Sequence, residues 1–279
     1  MNVKVDLCMW TKNGERFLKL VLKRIDEVIP HENVNQKVLV DDRSEDATTE
    51  IAKEFNWKIY VNPRGGIPSG ANEALRHVRT PIFISFEQDL LLASNWWDTV
   101  PNLLSEKKVA VACGARLPDV SHSIRKFYKF IINQNPHFTI SLDNTIYKTN
   151  ILKSIGGFPN LPFSTGVDTI LAHKIMSVGF KWKVATNVVS THLRGGLREE
   201  LKHEYWYATK RYEIERIIGY PLRPLSSFAR MAFTSPLWGI RLALKHKIPD
   251  LTYFYPLYYF AVLKGRSDGL KKGEAPPYT

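Results

Sequence analysis

Glu87 and Asp89 stand two residues apart, directly after an apolar, strand-like segment at residues 82–86. At this spacing in an extended chain both carboxylates can point at one hard cation, while Gln88 points the other way. Mn²⁺ or Mg²⁺ held in this way would bridge a diphosphate and neutralise its charge as it leaves. A solvated acidic turn is the alternative interpretation, because the spacing Glu-x-Asp is common by itself.

A second acidic group begins at Asp41 and Asp42, immediately after the apolar segment 37–40. A carboxylate in this position can accept hydrogen bonds from a nucleobase edge or a ribose hydroxyl. Ser44 and Asp46 are also suited to cap the helix that follows, and capping accounts for them better than nucleotide binding does. Capping does not account for Asp41, which therefore stays a nucleotide-binding candidate.

Strand-like segments alternate with helical patterns along most of the chain. The predicted strands cover residues 4–10, 37–40, 57–61, 82–86, 109–113, 139–142 and 182–189, and the predicted helices include residues 15–29, 46–55 and 69–78. This alternation predicts an α/β, Rossmann-like fold in which a mostly parallel sheet carries helices on both faces. Ligands of such sheets bind at the carboxyl ends of the strands, where both acidic groups are expected.

The loop at residues 62–70 is rich in Gly and Pro but matches neither a Walker A loop nor the pattern G-x-G-x-x-G. Its glycines allow close backbone approach, and Arg64 can meet a phosphate. A simple turn that leads to Ser69 as a helix cap is an equally good interpretation.

Asp168 and His192 are the remaining candidates for chemistry. Thr165 and Asp168 have the spacing of a capping box, with Thr165 as the N-cap residue. Asp168 can also act as a general base towards an acceptor hydroxyl. A lone histidine after a strand, such as His192, is most often structural, but beside an acidic metal site it becomes a third ligand candidate.

The net charge of +12 predicts a polyanionic partner, and half of it lies from Pro221 onwards, where nine basic residues stand against three acidic ones. No RNA- or DNA-binding motif is present, so we expect no nucleic-acid partner. Cys8 and Cys113 both lie in apolar segments and indicate a reducing compartment. The absence of a signal-peptide pattern after Met1 favours a cytoplasmic protein.

The C-terminal segment combines apolar, aromatic and basic residues. Ser235 and Pro236 predict a helix start. Residues 251–263 form an apolar, tyrosine-rich run that Pro256 interrupts. This run is shorter than the roughly 20 residues that span a bilayer, but it suits the headgroup region of an anionic membrane. A helical appendage packed on the catalytic domain is an equally good alternative.

In order and spacing, these segments resemble the family 2 glycosyltransferases, inverting enzymes of the GT-A fold, over roughly residues 3–192. The resemblance rests on the opening Thr11-Lys12-Asn13, on VLVDDRSEDAT at residues 38–48, on Asn62, Gly66 and Asn72, on FEQD at residues 86–89 in place of the family's D-x-D, and on GVDTILAHKIMSVGFK at residues 166–181.

The resemblance implies roles for individual residues. The nucleotide site would be formed by Thr11, Asn13, Asp41, Asp42, Arg64, Gly66, Asn72 and Gln88. Glu87, Asp89 and His192 would hold Mn²⁺ or Mg²⁺, and Asp168 would be the catalytic base. The sequence departs from the family's pattern at Glu87, where Asp is usual, and at Val167, where Glu usually precedes the base.

We therefore expect a catalytic domain at residues 1–200 and a basic, aromatic-rich, membrane-associating helical segment at residues 201–279. The expected reaction is transfer from a nucleotide sugar to a lipid-linked or glycan acceptor on the cytoplasmic face of a membrane. GDP-mannose is the expected donor because the C-terminal segment resembles the tails of dolichyl-phosphate mannose synthases. The rivals are a UDP-sugar donor, a nucleotidyltransferase, and a non-catalytic basic protein that binds anionic lipid or nucleic acid. Residues 11–14 match the Gly-rich basic loop of a nucleotidyltransferase poorly.

Overall fold

The computed structural model describes residues 3–272, which divide into two compact units. The first unit comprises the described residues up to 116 together with residues 135–193, and the second comprises residues 117–134 and the described residues from 194 onwards. Each unit is described by itself below.

Within residues 3–272, eight strands form one sheet in the order β3-β2-β1-β4-β7-β6-β8-β5. The strands are β1 (Val5–Thr11), β2 (Val34–Asp41), β3 (Lys58–Val61), β4 (Ile82–Phe86), β5 (Leu90–Leu91), β6 (Val109–Pro118), β7 (Asn144–Lys148) and β8 (Lys181–His192). The helices between them are α1 (Glu15–Val28), α2 (Thr48–Glu54), α3 (Gly66–His77), α4 (Trp96–Thr99), α5 (His122–Gln134), α6 (Thr149–Ser154) and α7 (Val167–Ser177).

The first four strands are parallel and form the Rossmann-like half of the sheet that the sequence predicts. Every side chain of β1 is buried, which is the pattern of a strand covered by helices on both faces. Leu18, Val21, Leu22 and Ile25 recur at helical spacing and bury one face of α1 in the core on one side of the sheet. Two separate core clusters confirm the α/β fold class.

The other half of the sheet is antiparallel, since β7 pairs in this sense with both β4 and β6. The predicted strand at residues 139–142 is wrong: a short 3₁₀ helix ends at Thr139, and the strand begins at Asn144. Residues 144–148 pair with β4 on one side and with β6 on the other. Tyr147 stacks on Phe83 of β4, with ring centroids 4.7 Å apart, which favours this pairing.

Helix α3 begins three residues earlier than predicted, at Gly66. Gly65 and Gly66 both have positive φ angles, 76° and 74°, which lets the chain turn directly from the loop into the helix. Ser69 is therefore not the cap but a buried residue of the first turn, and its hydroxyl accepts a hydrogen bond from the Arg64 backbone N–H at 3.3 Å.

The second unit contains α5 and four further helices, α8 (Gly196–Thr209), α9 (Arg211–Ile217), α10 (Leu225–His246) and α11 (Leu251–Lys272). The buried guanidinium of Arg266 on α11 pairs with Glu215 on α9 at 2.6 Å. A Cβ at Gly239 on α10 would approach the Leu251 carbonyl oxygen to 2.7 Å. Close packing of α10 against the start of α11 therefore requires glycine at this position. No helix within residues 3–272 is both long and apolar enough to cross a bilayer.

The predicted helix start at Ser235 and Pro236 is wrong, because both residues lie inside α10. Proline lacks the N–H that would bond to the Ala232 carbonyl four residues earlier. The buried Ser235 hydroxyl donates to this same carbonyl at 2.5 Å, which satisfies the acceptor and lets the helix continue. Helix α11 likewise continues through Pro256.

Candidate functional site

The candidate site lies at the carboxyl edge of the parallel strands in the first unit. Thr11, the last residue of β1, is in register with Asp41, the last residue of β2. Glu87 directly follows β4, the neighbour of β1 on its other side. Both acidic groups predicted from the sequence therefore lie along one edge of the sheet, where ligands of such folds bind.

The antiparallel pairing of β5 with β8 brings His192 to the acidic loop. Leu90 is in register with His192, and the Leu193 N–H donates to the Asp89 carbonyl at 2.7 Å. The Nε2 atom of His192 lies 3.4 Å from a carboxylate oxygen of Glu87 and 3.4 Å from one of Asp89. His192 is buried, so one nitrogen of its ring is fixed close to two carboxylates.

Asp143 joins this cluster and was missed in the sequence. Ligand atoms of Glu87, Asp143 and His192 all lie within 4.8 Å of one another. The sequence carries a signal for Asp143 only if β7 is known to run antiparallel to β4. Phe86 then faces Asn144, and the residue before β7 meets the residue after β4. Because the strand was predicted at residues 139–142 and not at 144–148, Asp143 was not recognised as the residue that precedes a strand.

Asp143 is completely buried, and its carboxylate is held by charged and polar partners. Arg116 lies 3.2 Å from it, the side-chain amide of Asn144 donates to it at 3.1 Å, and the Ser141 hydroxyl also donates to it. A buried carboxylate is stable only with such compensation. These contacts fix its direction before any ligand binds.

The chemistry of this donor set fits a divalent cation. Carboxylate oxygens suit Mn²⁺ and Mg²⁺, and an imidazole nitrogen is accepted by Mn²⁺. Glu87, Asp143 and His192 supply two carboxylates and one imidazole from three separate segments of the chain. Asp89 lies within reach of the same imidazole nitrogen.

Gln88 points to the loop after β1 and away from the cluster. Its side-chain oxygen accepts hydrogen bonds from the Thr11 hydroxyl and, at 3.0 Å, from the Lys12 N–H. Its side-chain nitrogen donates to the Lys12 carbonyl at 3.0 Å. Gln88 thus ties the acidic loop to the β1–α1 loop through Thr11 and Lys12.

Asp41 and Asn13 belong to one hydrogen-bond network that joins the β1–α1 and β2–α2 loops. The carboxylate of Asp41 accepts from the Ser44 N–H at 2.9 Å and from the Ser44 hydroxyl at 2.6 Å. The Asn13 N–H donates to the same hydroxyl at 2.8 Å, and the Glu45 N–H donates to the Asn13 side chain at 2.9 Å. Ser44 therefore orients Asp41, and the expectation that it caps α2 is wrong.

Asp46 stabilises the start of α2, as expected of it, although Ala47 is the N-cap residue. Its carboxylate accepts from the N–H and hydroxyl of Thr48 and from the Glu15 N–H at 3.0 Å. Burial acts to raise the pKa of Asp46, but these hydrogen bonds outweigh it and hold the pKa below its usual value. One carboxylate thus secures the first turns of both α1 and α2.

The loop before α3 brings Gly66 to Asp42, the second acidic residue of the pair. The Asp42 carboxylate accepts from the Gly66 N–H at 2.9 Å, and Arg64 is exposed on the same loop. Asn72 bonds to backbone groups of the chain. Its side chain donates to the Pro68 and Phe158 carbonyls and accepts from the Phe158 N–H at 3.0 Å. It joins α3 to the turn that precedes Phe158.

Asp168 lies in the first turn of α7, but not in a capping box. The N-cap residue is Gly166, with φ 70° in the left-handed region, and no side chain caps the helix. Thr165 therefore stands one residue too early to serve as the cap. The carboxylate of Asp168 accepts from the Thr169 N–H at 2.6 Å and from the Thr169 hydroxyl at 3.2 Å.

The two cysteines are both buried in the sheet. Burial raises the pKa of the Cys8 thiol well above its usual value and raises the pKa of Cys113 to about 12. Thiols in this state are inert apolar residues, as their surroundings in the sequence predict.

Comparison with known proteins identifies the family. Residues 6–158, more than half of the chain, match the profile of Glycosyl transferase family 2. No curated protein sequence matches the chain significantly.

Several solved structures share the fold. The mannosyltransferase PcManGT from Pyrobaculum calidifontis, in complex with GDP-Man and Mn²⁺, superposes with a TM-score of 0.68 at 17% identity over 98% of this chain and 89% of that one. Residues 1–349 of S. aureus TarS superpose with a TM-score of 0.58 at 17% identity, over 98% and 92% of the two chains.

Glucosyl-3-phosphoglycerate synthase from Mycobacterium tuberculosis, in complex with Mn²⁺, UDP and phosphoglyceric acid, gives a TM-score of 0.57 at 14% identity over 79% and 80% of the chains. The fold described above and the match to the family profile lead to one conclusion. The chain belongs to glycosyl transferase family 2 and is a glycosyltransferase of the GT-A fold.

Proposed function

We propose that this glycosyltransferase uses a nucleoside-diphosphate sugar together with Mn²⁺ or Mg²⁺, and that it inverts the configuration at the transferred carbon. The observation that carries the proposal is the convergence of Glu87, Asp143 and His192, with Asp89 alongside, at the strand edge that also presents Thr11 and Asp41. A diphosphate could reach the acidic cluster while its nucleoside lies against the adjoining loops.

Glu87, Asp143 and His192 would hold the cation, and Asp89, which lies 3.4 Å from the same imidazole nitrogen, would be a further ligand. The bound cation would supply positive charge that stabilises the diphosphate leaving group. Arg116 offsets the charge of Asp143, so that the buried carboxylate keeps its orientation. Gln88 fixes the loop at Thr11, and Ser44 fixes the carboxylate of Asp41 for a nucleobase or ribose contact.

Asp168 would act as the base towards an acceptor hydroxyl. The acceptor oxygen attacks the anomeric carbon, the bond from this carbon to the diphosphate oxygen breaks with its electron pair, and the hydroxyl proton passes to Asp168. Thr169 donates two hydrogen bonds to one oxygen of the Asp168 carboxylate and thereby orients the other. An acceptor that is already an anion, such as a lipid phosphate, needs no such base.

We propose GDP-mannose as the donor. The support is the similarity to the P. calidifontis mannosyltransferase in complex with GDP-Man and Mn²⁺, which extends over 98% of this chain. A UDP-sugar is the second candidate, favoured by the fold shared with the UDP-bound M. tuberculosis synthase and with S. aureus TarS in complex with UDP.

The proposed acceptor is lipid-linked, and the proposed location is the cytoplasmic face of a membrane, to which residues 201–279 would attach. The basic and aromatic composition of this segment supports both proposals.

Transfer of label tests the proposed function. The protein is incubated with Mn²⁺ and radiolabelled GDP-mannose or UDP-glucose in the presence of a bacterial lipid extract, and the radioactivity in the organic phase is counted. We expect label from GDP-mannose, none after EDTA treatment, and none from a Glu87→Gln variant. Label from UDP-glucose alone would mean that the donor is a UDP-sugar and not GDP-mannose. Label transfer that does not require metal would contradict the proposed site.

A further inference from the structure

Helix α10 buries small side chains and exposes large apolar ones, which is the reverse of an ordinary surface helix. The side chains that it buries within the second unit are mostly small: Ala232, Ser235, Gly239 and Ala243, with Phe228 at its first turns. These residues recur at helical spacing and form one face. The core contact of α10 is therefore made by small residues that allow close helix packing, as the short approach at Gly239 shows.

The large apolar side chains of α10 lie on a different face of the helix and are exposed. Phe233, Leu237, Ile240 and Leu244 are exposed by 72%, 72%, 49% and 76%. Their spacing of four, three and four residues places them in one stripe along the helix. Phe260 of α11, itself 42% exposed, packs edge-on against Phe233 with ring centroids 5.8 Å apart. These five residues are called the apolar face below.

Basic residues form a row beside this stripe. Arg230, Arg241 and Lys245 are all exposed on α10, and α10 contains no acidic residue. The guanidinium of Arg241 lies over the ring of Trp238 at 5.2 Å from its centroid. Trp238 is itself half exposed, so its ring borders both the row of cations and water.

We propose that the apolar face of α10 inserts into the surface of an anionic bilayer, with the basic row among the lipid phosphates. An apolar stripe with a row of cations beside it is the arrangement of a helix that lies in the membrane interface. The helix would lie parallel to the surface. This proposal rests on the membrane location proposed above, and it names the part of the protein surface that would contact the membrane. Its test requires no transfer activity, so the two fail separately.

The charges on α10 favour a lipid surface over a second copy of the chain. Two apolar faces that meet antiparallel across a two-fold axis would bring the two basic rows towards each other, and α10 offers no acidic residue to pair with them. Lipid phosphates provide the missing negative charge. A concentration-dependent dimer is therefore an outcome that would overturn the proposal.

The first test is sedimentation of the full chain with vesicles. We expect binding to vesicles of equal parts phosphatidylcholine and phosphatidylglycerol, and much weaker binding to phosphatidylcholine alone. Replacing Phe233, Leu237 and Leu244 together by Ser should weaken binding by about tenfold or more, because three partly inserted apolar side chains are lost.

A matched triple variant provides the control. Leu20, Met176 and Val178 are exposed apolar residues of the first unit, by 51%, 43% and 51%, and their joint replacement by Ser removes exposed apolar surface elsewhere. This control should bind vesicles like the unchanged protein. Equal binding by both triple variants would overturn the proposal, as would loss of a dimer, measured by sedimentation velocity without lipid, in the α10 variant alone.

A tryptophan placed on the apolar face supplies a second, independent readout. Lipids brominated in their acyl chains quench tryptophans that enter the bilayer. We expect brominated anionic vesicles to quench the fluorescence of a Leu237→Trp variant more strongly than that of the unchanged protein, because Leu237 belongs to the apolar face. Equal quenching of the two proteins, when both sediment with the vesicles, would mean that α10 does not insert.

Discussion

The Nε2 atom of His192 lies 3.4 Å from a carboxylate oxygen of Glu87, although the two residues are 105 positions apart in the chain. The contact exists because β5 and β8 pair antiparallel, which places His192 opposite Leu90, just beyond the acidic loop. The antiparallel strands of the sheet therefore complete a site that the parallel strands begin. The same principle brings in Asp143 through the pairing of β7 with β4.

Asp143→Asn should weaken Mn²⁺ binding by about tenfold or more, since a carboxylate at the cluster is replaced by a neutral side chain of the same shape. Mn²⁺-dependent thermal stabilisation measures this without any substrate. Asp98→Asn, which changes an exposed aspartate outside the cluster, should bind Mn²⁺ normally. Unchanged Mn²⁺ affinity in Asp143→Asn would mean that Asp143 is not a metal ligand and serves only in its ion pair with Arg116.

Asp168→Asn should lower turnover by about 10²–10⁴-fold with a hydroxyl acceptor, because the amide cannot take the proton. Nucleotide and Mn²⁺ binding should stay unchanged in the same variant. Single-turnover assays together with a binding measurement separate the two effects. Near-normal turnover would exclude the base role and would point to an acceptor that is already ionised.

Gly157→Ala should destabilise the first unit by about 1–3 kcal/mol, since alanine disfavours the φ of 77° found here. The added Cβ would also approach the side-chain oxygen of Asn72 to 2.6 Å and disturb its hydrogen bond to Phe158. Chemical denaturation measures the change. Gly179→Ala, with a similar φ of 85° but nothing within 4 Å of its Cβ, separates backbone strain from the clash. Equal losses in both variants would show that the Asn72 contact contributes nothing.

Asp46→Asn should make the free energy of unfolding less dependent on pH in the acid range. Because hydrogen bonds hold the pKa of Asp46 below its unfolded value, the carboxylate stabilises the fold above an unfolded pKa of about 3.9. This contribution is lost as the pH falls through the lower folded pKa. Urea unfolding between neutral pH and the acid limit should show a smaller loss for Asp46→Asn than for the unchanged protein. A Glu50→Gln variant, changed at an exposed acidic position, is the control. If the free energy of unfolding fell equally with pH in Asp46→Asn and in the unchanged protein, the stabilising role of Asp46 would be contradicted.

The parallel half of the fold could be predicted from the sequence because each element there carries a local signal. The buried strands β1, β2 and β4 contain apolar runs, and α1 repeats its apolar residues at helical spacing. The fold class predicted on this basis is confirmed, and so are the family and the enzyme class that the resemblance to family 2 glycosyltransferases implied. Acidic residues that follow such strands could be assigned to one edge by the rule for parallel sheets.

The antiparallel half could not be predicted in the same way, because its pairings join distant segments. Asn144–Lys148 becomes a strand through contacts with β4 and β6, and no local pattern distinguishes it from residues 139–142. Asp143 was missed for this reason. In α10, Ser235 and Pro236 carry the local signal of a helix start, but the helix runs through them because the Ser235 hydroxyl compensates for the missing N–H.

The most direct test of the nucleotide–metal site is the thermal stability of the protein with GDP, UDP, CDP and ADP in turn, each with Mn²⁺ and with EDTA. A nucleotide at about 100 times its dissociation constant should add roughly 2.7 kcal/mol of stability. We predict a raised midpoint with GDP and Mn²⁺ that EDTA abolishes. A shift with UDP alone would change the donor but keep the site, and no shift with any nucleotide would contradict the proposed nucleotide–metal site.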